Sequence, residues 1–228
     1  EHMKSSMLRS ISHDFRTPLT GIMGDCGLIL ESEDMDSPER AQLVQDIMEQ
    51  SMWLMKMMEN ILSMTKIESG QQFINKSPEV VDDVINEASL HVIGLRDRRN
   101  FQVSLPKEVI VADMDARMIA QVIINLLDNA MKHTKEGGSI SLSVSYRDHK
   151  AYFVIEDDGD GVLEELRERI FDEFVSGGDK STDQKRGIGL GLTICKEVVH
   201  AHGGDIWEEN RNAGGARFIF WIPAKQVE

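Results

Sequence analysis

Ser12-His13-Asp14-Phe15-Arg16-Thr17-Pro18-Leu19 sets an imidazole, a carboxylate and a helix-bending proline within about one and a half helical turns. Around it Leu8, Ile11, Phe15, Leu19, Ile22, Cys26 and Ile29 recur at steps of three and four, the pattern of a helix that buries one face. At about 100° per residue, His13 projects roughly 160° from the centre of that stripe, so its ring is expected to face solvent. Pro18 has no N–H to bond the carbonyl of Asp14, which predicts a bend just after the histidine. The same spacing also describes an ordinary amphipathic helix with a solvated histidine, so the chemistry must be sought further along the chain.

Working outward, a first helix is expected from about Lys4 to Glu31, ended by the polar stretch Ser32 to Pro38. Ser37 as N-cap and Pro38 at the first helical position would start a second helix running to Glu68. Leu43, Ile47, Leu54, Met58 and Ile61 line one side of it, while Met48, Trp53, Met55 and Met57 widen the apolar surface beyond what one partner helix can cover. Two such hairpins joined as a four-helix bundle would cover it, which implies a homodimer. The methionines suit a promiscuous binding groove as an alternative.

Residues 4–70 therefore form an all-α hairpin, residues 71–78 a linker, and residues 79–225 a domain of mixed pattern. In that domain a helix is expected to about Arg96, strands at Phe101–Leu105 and Val109–Ala112, and a helix from Asp115 to His133. Strands at Ser139–Tyr146 and Ala151–Glu156, a helix from Leu190 to Ala201, and strands at Gly204–Glu208 and Ala216–Ile222 complete it. Antiparallel strands with helices on one face make an α+β two-layer sandwich.

A formal net charge of -14 argues against an extended nucleic-acid surface, which needs clustered Lys and Arg. Cys26 and Cys195 lack metal-ligand spacing and are expected to be buried free thiols in a reducing compartment. No apolar run approaches the length of a membrane span, and no signal peptide is read at the start.

Three polar clusters in the second domain carry chemistry. Asn125, Asn129 and Lys132 fall along one side of a helix, where carboxamide oxygens suit an Mg²⁺ shell and a lysine suits phosphate. Asp157-Asp158-Gly159-Asp160-Gly161 follows a strand directly, so a carboxylate there can accept from an exocyclic amine while the glycines let the backbone come close. Gly187-Ile188-Gly189-Leu190-Gly191-Leu192 opens a helix and offers free N–H groups and a positive dipole end to phosphate. Each alone is also a plain polar helix face or an Asp-Gly turn; their order along one chain is the specific signal.

In that order the chain resembles the transmitter module of a two-component sensor histidine kinase. Such a module joins a dimerisation and histidine-phosphotransfer hairpin to an ATP-binding domain of the gyrase, chaperone and mismatch-repair ATPase superfamily. The resemblance covers essentially the whole chain. His13 to Pro18 is similar to the phosphorylation box, with His13 as phosphoacceptor and Asp14 as its acid. Asn125 to His133 is similar to the asparagine box, which implies Asn125 and Asn129 at Mg²⁺ and Lys132 and His133 by the phosphates. Asp157, Gly159 and Gly161 match the first glycine box, where the aspartate binds the adenine amino group. Phe171 and Phe174 match the phenylalanine box, and Gly187, Gly189 and Gly191, with Leu192, the second glycine box. Val175 to Arg186 would be a lid over the nucleotide, with Lys180, Lys185 or Arg186 as its basic contact. Asp14 stands where Glu is commoner and Asp160 where Pro is usual.

The resemblance implies ATP and Mg²⁺ as cofactors, autophosphorylation of His13, and transfer to an aspartate of a response regulator receiver domain supplied in trans. An acid after the histidine and Thr17 three residues beyond it imply phosphatase activity toward that regulator. The module is expected on the cytoplasmic side, with any upstream sensor or membrane domain outside this chain. Two other functions fit nucleotide binding: a hydrolysing ATP clamp, disfavoured because Asn125 is an amide and cannot act as general base, and a non-catalytic dimeric scaffold.

Overall fold

The structure, a computed structural model, describes residues 2–32, 34–68, 74–93, 99–172, 175 and 189–227, with the side chains of all of these except 2–14, 56, 63–68 and 91–93. It forms two compact units, Glu1–Thr65 and Lys66–Glu228.

The first unit is a helical hairpin of α1 (His2–Glu31) and α2 (Ser37–Glu68). Pro18 lies inside α1, which continues past it to Glu31. The cap of α2 sits one residue before the expected Ser37: Asp36 Oδ1 accepts from the Glu39 N–H at 2.8 Å, and the Asp36 carbonyl accepts from the Arg40 N–H at 3.0 Å. A carboxylate at this point also meets the positive end of the helix dipole, which a serine hydroxyl does not. Across the hairpin the Gln50 amide donates to Asp25 at 3.2 Å. This amide lies against Gly21, where a Cβ would displace only the tip of the Gln50 side chain.

Much of the hairpin's apolar surface stays uncovered in the single chain. Met23 is 75% and Leu30 82% exposed, and Met48, Met52, Met55 and Met58 are each more than half exposed. Cys26, expected to be buried, is exposed, because it lies on the part of the α1 stripe that α2 leaves open.

The second unit begins with β1 (Ser77–Val80), where the pattern had suggested the end of a linker and the start of a helix; α3 (Val81–Ile93) follows it directly. Then come β2 (Asn100–Ser104), β3 (Val109–Met114), α4 (Ala116–His133), β4 (Ser139–Arg147), β5 (Lys150–Asp157), the short α5 (Glu164–Arg167), α6 (Gly191–Ala201), β6 (Asp205–Asn210), β7 (Ala216–Pro223) and β8 (Lys225–Val227).

Five strands form one sheet in the order β2-β4-β5-β7-β6, and β1-β3-β8 form a small antiparallel sheet. The expectation of antiparallel strands throughout needs one correction, since β2 pairs with β4 in parallel. Parallel neighbours require a crossover, and α4 lies between these two strands in the chain and provides it.

Alternation along β5 turns Ala151, Phe153, Ile155 and Asp157 to the covered face of the sheet. Phe153 stacks on its cross-strand partner Phe220 with ring centroids 4.4 Å apart. α4 adds Ile119, Ile123, Leu126 and Leu127, and α6 adds Ile194, Cys195, Val198 and Val199. One polar residue of α4, Asn125, and the last residue of β5, Asp157, point into this layer with the apolar ones.

His202 ties the two main helices together. As C-cap of α6 it bonds the Val198 carbonyl through Nδ1 at 2.7 Å, and its Nε2 accepts from the Asp115 N–H at 3.0 Å. Asp115 is the N-cap of α4, its carboxylate accepting from the N–H groups of Met118 and Asn75. Burial pushes the His202 pKa below 6.5, Lys76 lowers it further, and the Val198 hydrogen bond and the charge of Asp115 oppose the shift.

Candidate active site

α4 is the axis of the site. Asp115 caps its start, and its apolar residues face the sheet. Asn125 is 6% exposed, its Oδ1 accepts from Gln121 Nε2 one turn earlier at 3.1 Å, and its Nδ2 is buried without a hydrogen-bond partner among the described residues. A buried donor without a partner costs about 1–3 kcal/mol, so this atom is set up for a ligand oxygen or an ordered water. Asn129 is half-buried one turn on, and Lys132 and His133 are exposed in the last turn, so the polar edge climbs from the interior to solvent.

The end of β5 meets the end of this edge. Asp157 is 2% exposed, and its Oδ1 accepts from the Gly159 N–H at 2.9 Å and the Ala216 N–H at 3.3 Å. Both bonds fall on one oxygen, which leaves Oδ2 to a ligand. Gly159 packs on the carbonyl of His133 so closely that a Cβ would overlap it, which seats the loop after β5 on the last turn of α4. Gly161 has a φ of +76° and lies against Asn210, whose amide closes a two-bond bridge to the backbone of Val162. Here the chain needs glycine for a left-handed conformation that other residues rarely adopt.

α6 packs beside α4. Gly189 has a φ of +72°, Leu190 is fully buried, and the helix opens at Gly191 with no side-chain cap on its first N–H groups. A Cβ on Gly191 would meet nothing within 4 Å, so space stands open beside those donors among the described residues. The Cys195 thiol contacts the Val122 carbonyl at 3.7 Å, one turn before Asn125, and holds the two helices in register.

Of the residues singled out from sequence, Asn125, Asn129, Lys132 and His133 lie on α4, Gly159 next to Asp157 packs on its last turn, Gly161 lies beyond them against Asn210, and Gly189, Gly191 and Leu192 stand at the start of the neighbouring helix. Phe171 is half-buried with its ring edge-on to Phe218, centroids 6.4 Å apart. Phe174, Lys180, Lys185, Arg186 and Gly187 lie outside the described residues, as does the lid beyond Val175; so do the side chains of His13 and Asp14, whose backbone belongs to α1. Thr17 is exposed on α1.

Residues 3–70 match the His Kinase A (phospho-acceptor) domain, and residues 114–226 match the family described as histidine kinase-, DNA gyrase B- and HSP90-like ATPase. The chain belongs to the transmitter modules of two-component sensor histidine kinases. It is 43% identical over 224 residues to the sensor protein KdpD of Clostridium acetobutylicum, covering 98% of this chain and 25% of that protein. The adaptive-response sensory kinase SasA of Crocosphaera subtropica is 31% identical, with 96% of this chain and 59% of that protein covered. Among solved structures, the histidine kinase ThkA in complex with the response regulator protein TrrA superposes with a TM-score of 0.70 at 27% identity, covering 96% of this chain and 61% of that one. The chain spans only part of the length of these curated relatives.

Three features of this domain escaped the sequence. Arg211, after β6, donates to the Asp157 carbonyl at 2.5 Å. Gly215, at a φ of +88°, sits where any Cβ would collide with that carbonyl. Glu208, almost wholly buried, pairs with Arg167 of α5 at 3.1 Å, and the hydrogen bonds from Arg167 to Glu208 and Glu164 hold its guanidinium more firmly charged. The only available signals were a Gly-Gly turn and a charge within a strand, and neither names its partner.

Proposed function

We propose that this module binds MgATP along α4 and the start of α6, moves the γ-phosphoryl group to His13, and passes it to an aspartate of a response regulator receiver domain. The carrying observation is the inward-facing Asp157 carboxylate, seated through Gly159 on the end of the Asn125 to His133 edge. Its open Oδ2 accepts from the adenine amino group. Asn129, whose carboxamide has no partner among the described residues, is the principal Mg²⁺ ligand, and Asn125 adds its oxygen once that atom leaves Gln121. Bound there, Mg²⁺ would neutralise developing charge on the phosphates. Lys132, His133 and the basic residues Lys185 or Arg186 answer the remaining phosphate charge, the second glycine box and Leu192 present backbone N–H groups, and Phe171 with Phe174 anchors the root of the lid.

In the transfer, a lone pair of neutral His13, at Nε2, forms the N–P bond as the bond from γ-phosphorus to the bridging oxygen breaks and ADP leaves. Asp14 accepts from the other ring nitrogen, which holds the tautomer and stabilises the imidazolium. The uncovered apolar hairpin surface supports a homodimer with a four-helix bundle, and the proposed use of ATP and a receiver domain supports a location on the cytoplasmic side. Among the described residues, no helix is long and apolar enough to cross a membrane.

Incubation with γ-labelled ATP tests the reading. An acid-labile, base-stable label is expected, and release of free phosphate without it would point to a hydrolysing clamp. The same helix is proposed to catalyse dephosphorylation of the regulator, with the exposed Thr17 hydroxyl orienting water. T17A should retain the kinase reaction and lose most of the phosphatase reaction; an unchanged regulator half-life would remove Thr17 from that role.

A further inference from the structure

Residues 211–215 form the turn from β6 into β7, closed by hydrogen bonds from the Arg211 N–H to the Gly215 carbonyl at 2.9 Å and from the Gly214 N–H to the Arg211 carbonyl at 3.0 Å. Gly214 and Gly215, at φ of +92° and +88°, bend the turn around the end of β5. From it Arg211 spans the last two residues of β5: Nη1 donates to the Asp157 carbonyl at 2.5 Å, and Nε lies 3.9 Å from Glu156. The next residue beyond the glycines, Ala216, donates its N–H to Asp157 Oδ1. One turn therefore holds the carbonyl and the carboxylate of the same aspartate.

We propose that Arg211 is a positioning residue for Asp157, setting how well the site discriminates nucleotides by their exocyclic amine. The proposal rests on Asp157 as the acceptor for the adenine amino group. Pinning the Asp157 carbonyl fixes the peptide plane that follows, and this plane sets where the Gly159 N–H meets Oδ1. With Oδ1 held from two sides, Oδ2 points one way and need not be reoriented when the base arrives. Glu156 has a second cation, Arg217, so removal of Arg211 leaves no buried carboxylate unpaired and acts chiefly through Asp157.

The test compares MgATP with the triphosphate of purine riboside, which lacks the amino group, by calorimetric titration of the wild type, R211M, R211K and D157N. R211M is expected to weaken ATP binding about tenfold, the scale of one charge-assisted hydrogen bond, and the deaminated nucleotide by under about twofold. The rate of autophosphorylation at saturating ATP should stay unchanged, so the loss falls on KM. R211K, which keeps a cationic donor, should recover most of the affinity. Equal weakening of both nucleotides by R211M would make Arg211 a structural residue only and overturn the proposal, and so would unchanged ATP affinity. If D157N leaves ATP binding intact, the reading of Asp157 itself fails; if D157N abolishes discrimination while R211M does not reduce it, only the role of Arg211 fails. Thermal unfolding checks each variant, and R211Q, whose amide ends at about the level of Nε and stops short of the Asp157 carbonyl that Nη1 reaches, replaces R211M if that protein does not fold.

Discussion

The hairpin and the ATP-binding domain use apolar residues in opposite ways. The domain buries Phe153, Phe218, Phe220 and the inner faces of three helices within one chain, whereas the hairpin leaves Leu19, Met23, Leu30 and a run of methionines in the open. A mixed sheet with helices over one face encloses its own core, but two helices can only share a seam. The difference teaches that one region covers its own apolar residues within a single chain, while the other leaves apolar surface that the proposed dimer would cover. It also divides the proposed chemistry: His13, the proposed phosphoacceptor, belongs to the hairpin, and the residues proposed to hold the nucleotide belong to the other domain.

The sharpest way to break that division is H13Q. Labelling from γ-labelled ATP should fall to background, at least about a thousandfold, while titration finds nucleotide affinity unchanged. Persistent label would place the acceptor elsewhere and dissolve the contrast. Next in size, F220A removes half of the stacked pair at the centre of the sheet, and denaturant unfolding of the ATP-binding domain should register a loss of about 3–5 kcal/mol. A loss below about 1 kcal/mol would mean that the domain does not depend on this core.

The hairpin should answer differently. M52E combined with M55E places charge on a surface that is already exposed in one chain, so helix content should stay intact while the dimer weakens by about 2–3 kcal/mol in sedimentation equilibrium. Unchanged association would locate the dimer seam on another face. The smallest effect concerns pH. Because the folded state holds His202 below its ordinary 6.5, the unfolded chain binds the extra proton more readily. Stability from this group is therefore complete above about pH 6.5 and is lost as pH falls through the lower folded value, by about 1 kcal/mol, the scale of the Asp115 N–H bond that protonation breaks. H202N should flatten the dependence below about pH 6.5, and an identical slope in the two proteins would exclude His202 as its source.

The sequence alone determined the two-part organisation, the helical hairpin, the main strands and helices of the ATP-binding domain, and the order of its polar boxes. These follow from local rules: periodicity of 3.6 or 2, caps, and glycines ahead of a helix. Even here the cap of α2 fell to Asp36 rather than Ser37, since adjacent polar residues compete for one site and only the backbone path decides. The tertiary structure decided the parallel pairing of β2 with β4, the small sheet of β1, β3 and β8, and the exposure of Cys26. It also decided that Gly159 rests on His133, that His202 joins α6 to α4, and that Arg211 reaches back 54 residues to Asp157. Contacts of such separation leave no period in the chain, because the free energy that selects them comes from burial and hydrogen bonds that exist only after the layers have closed.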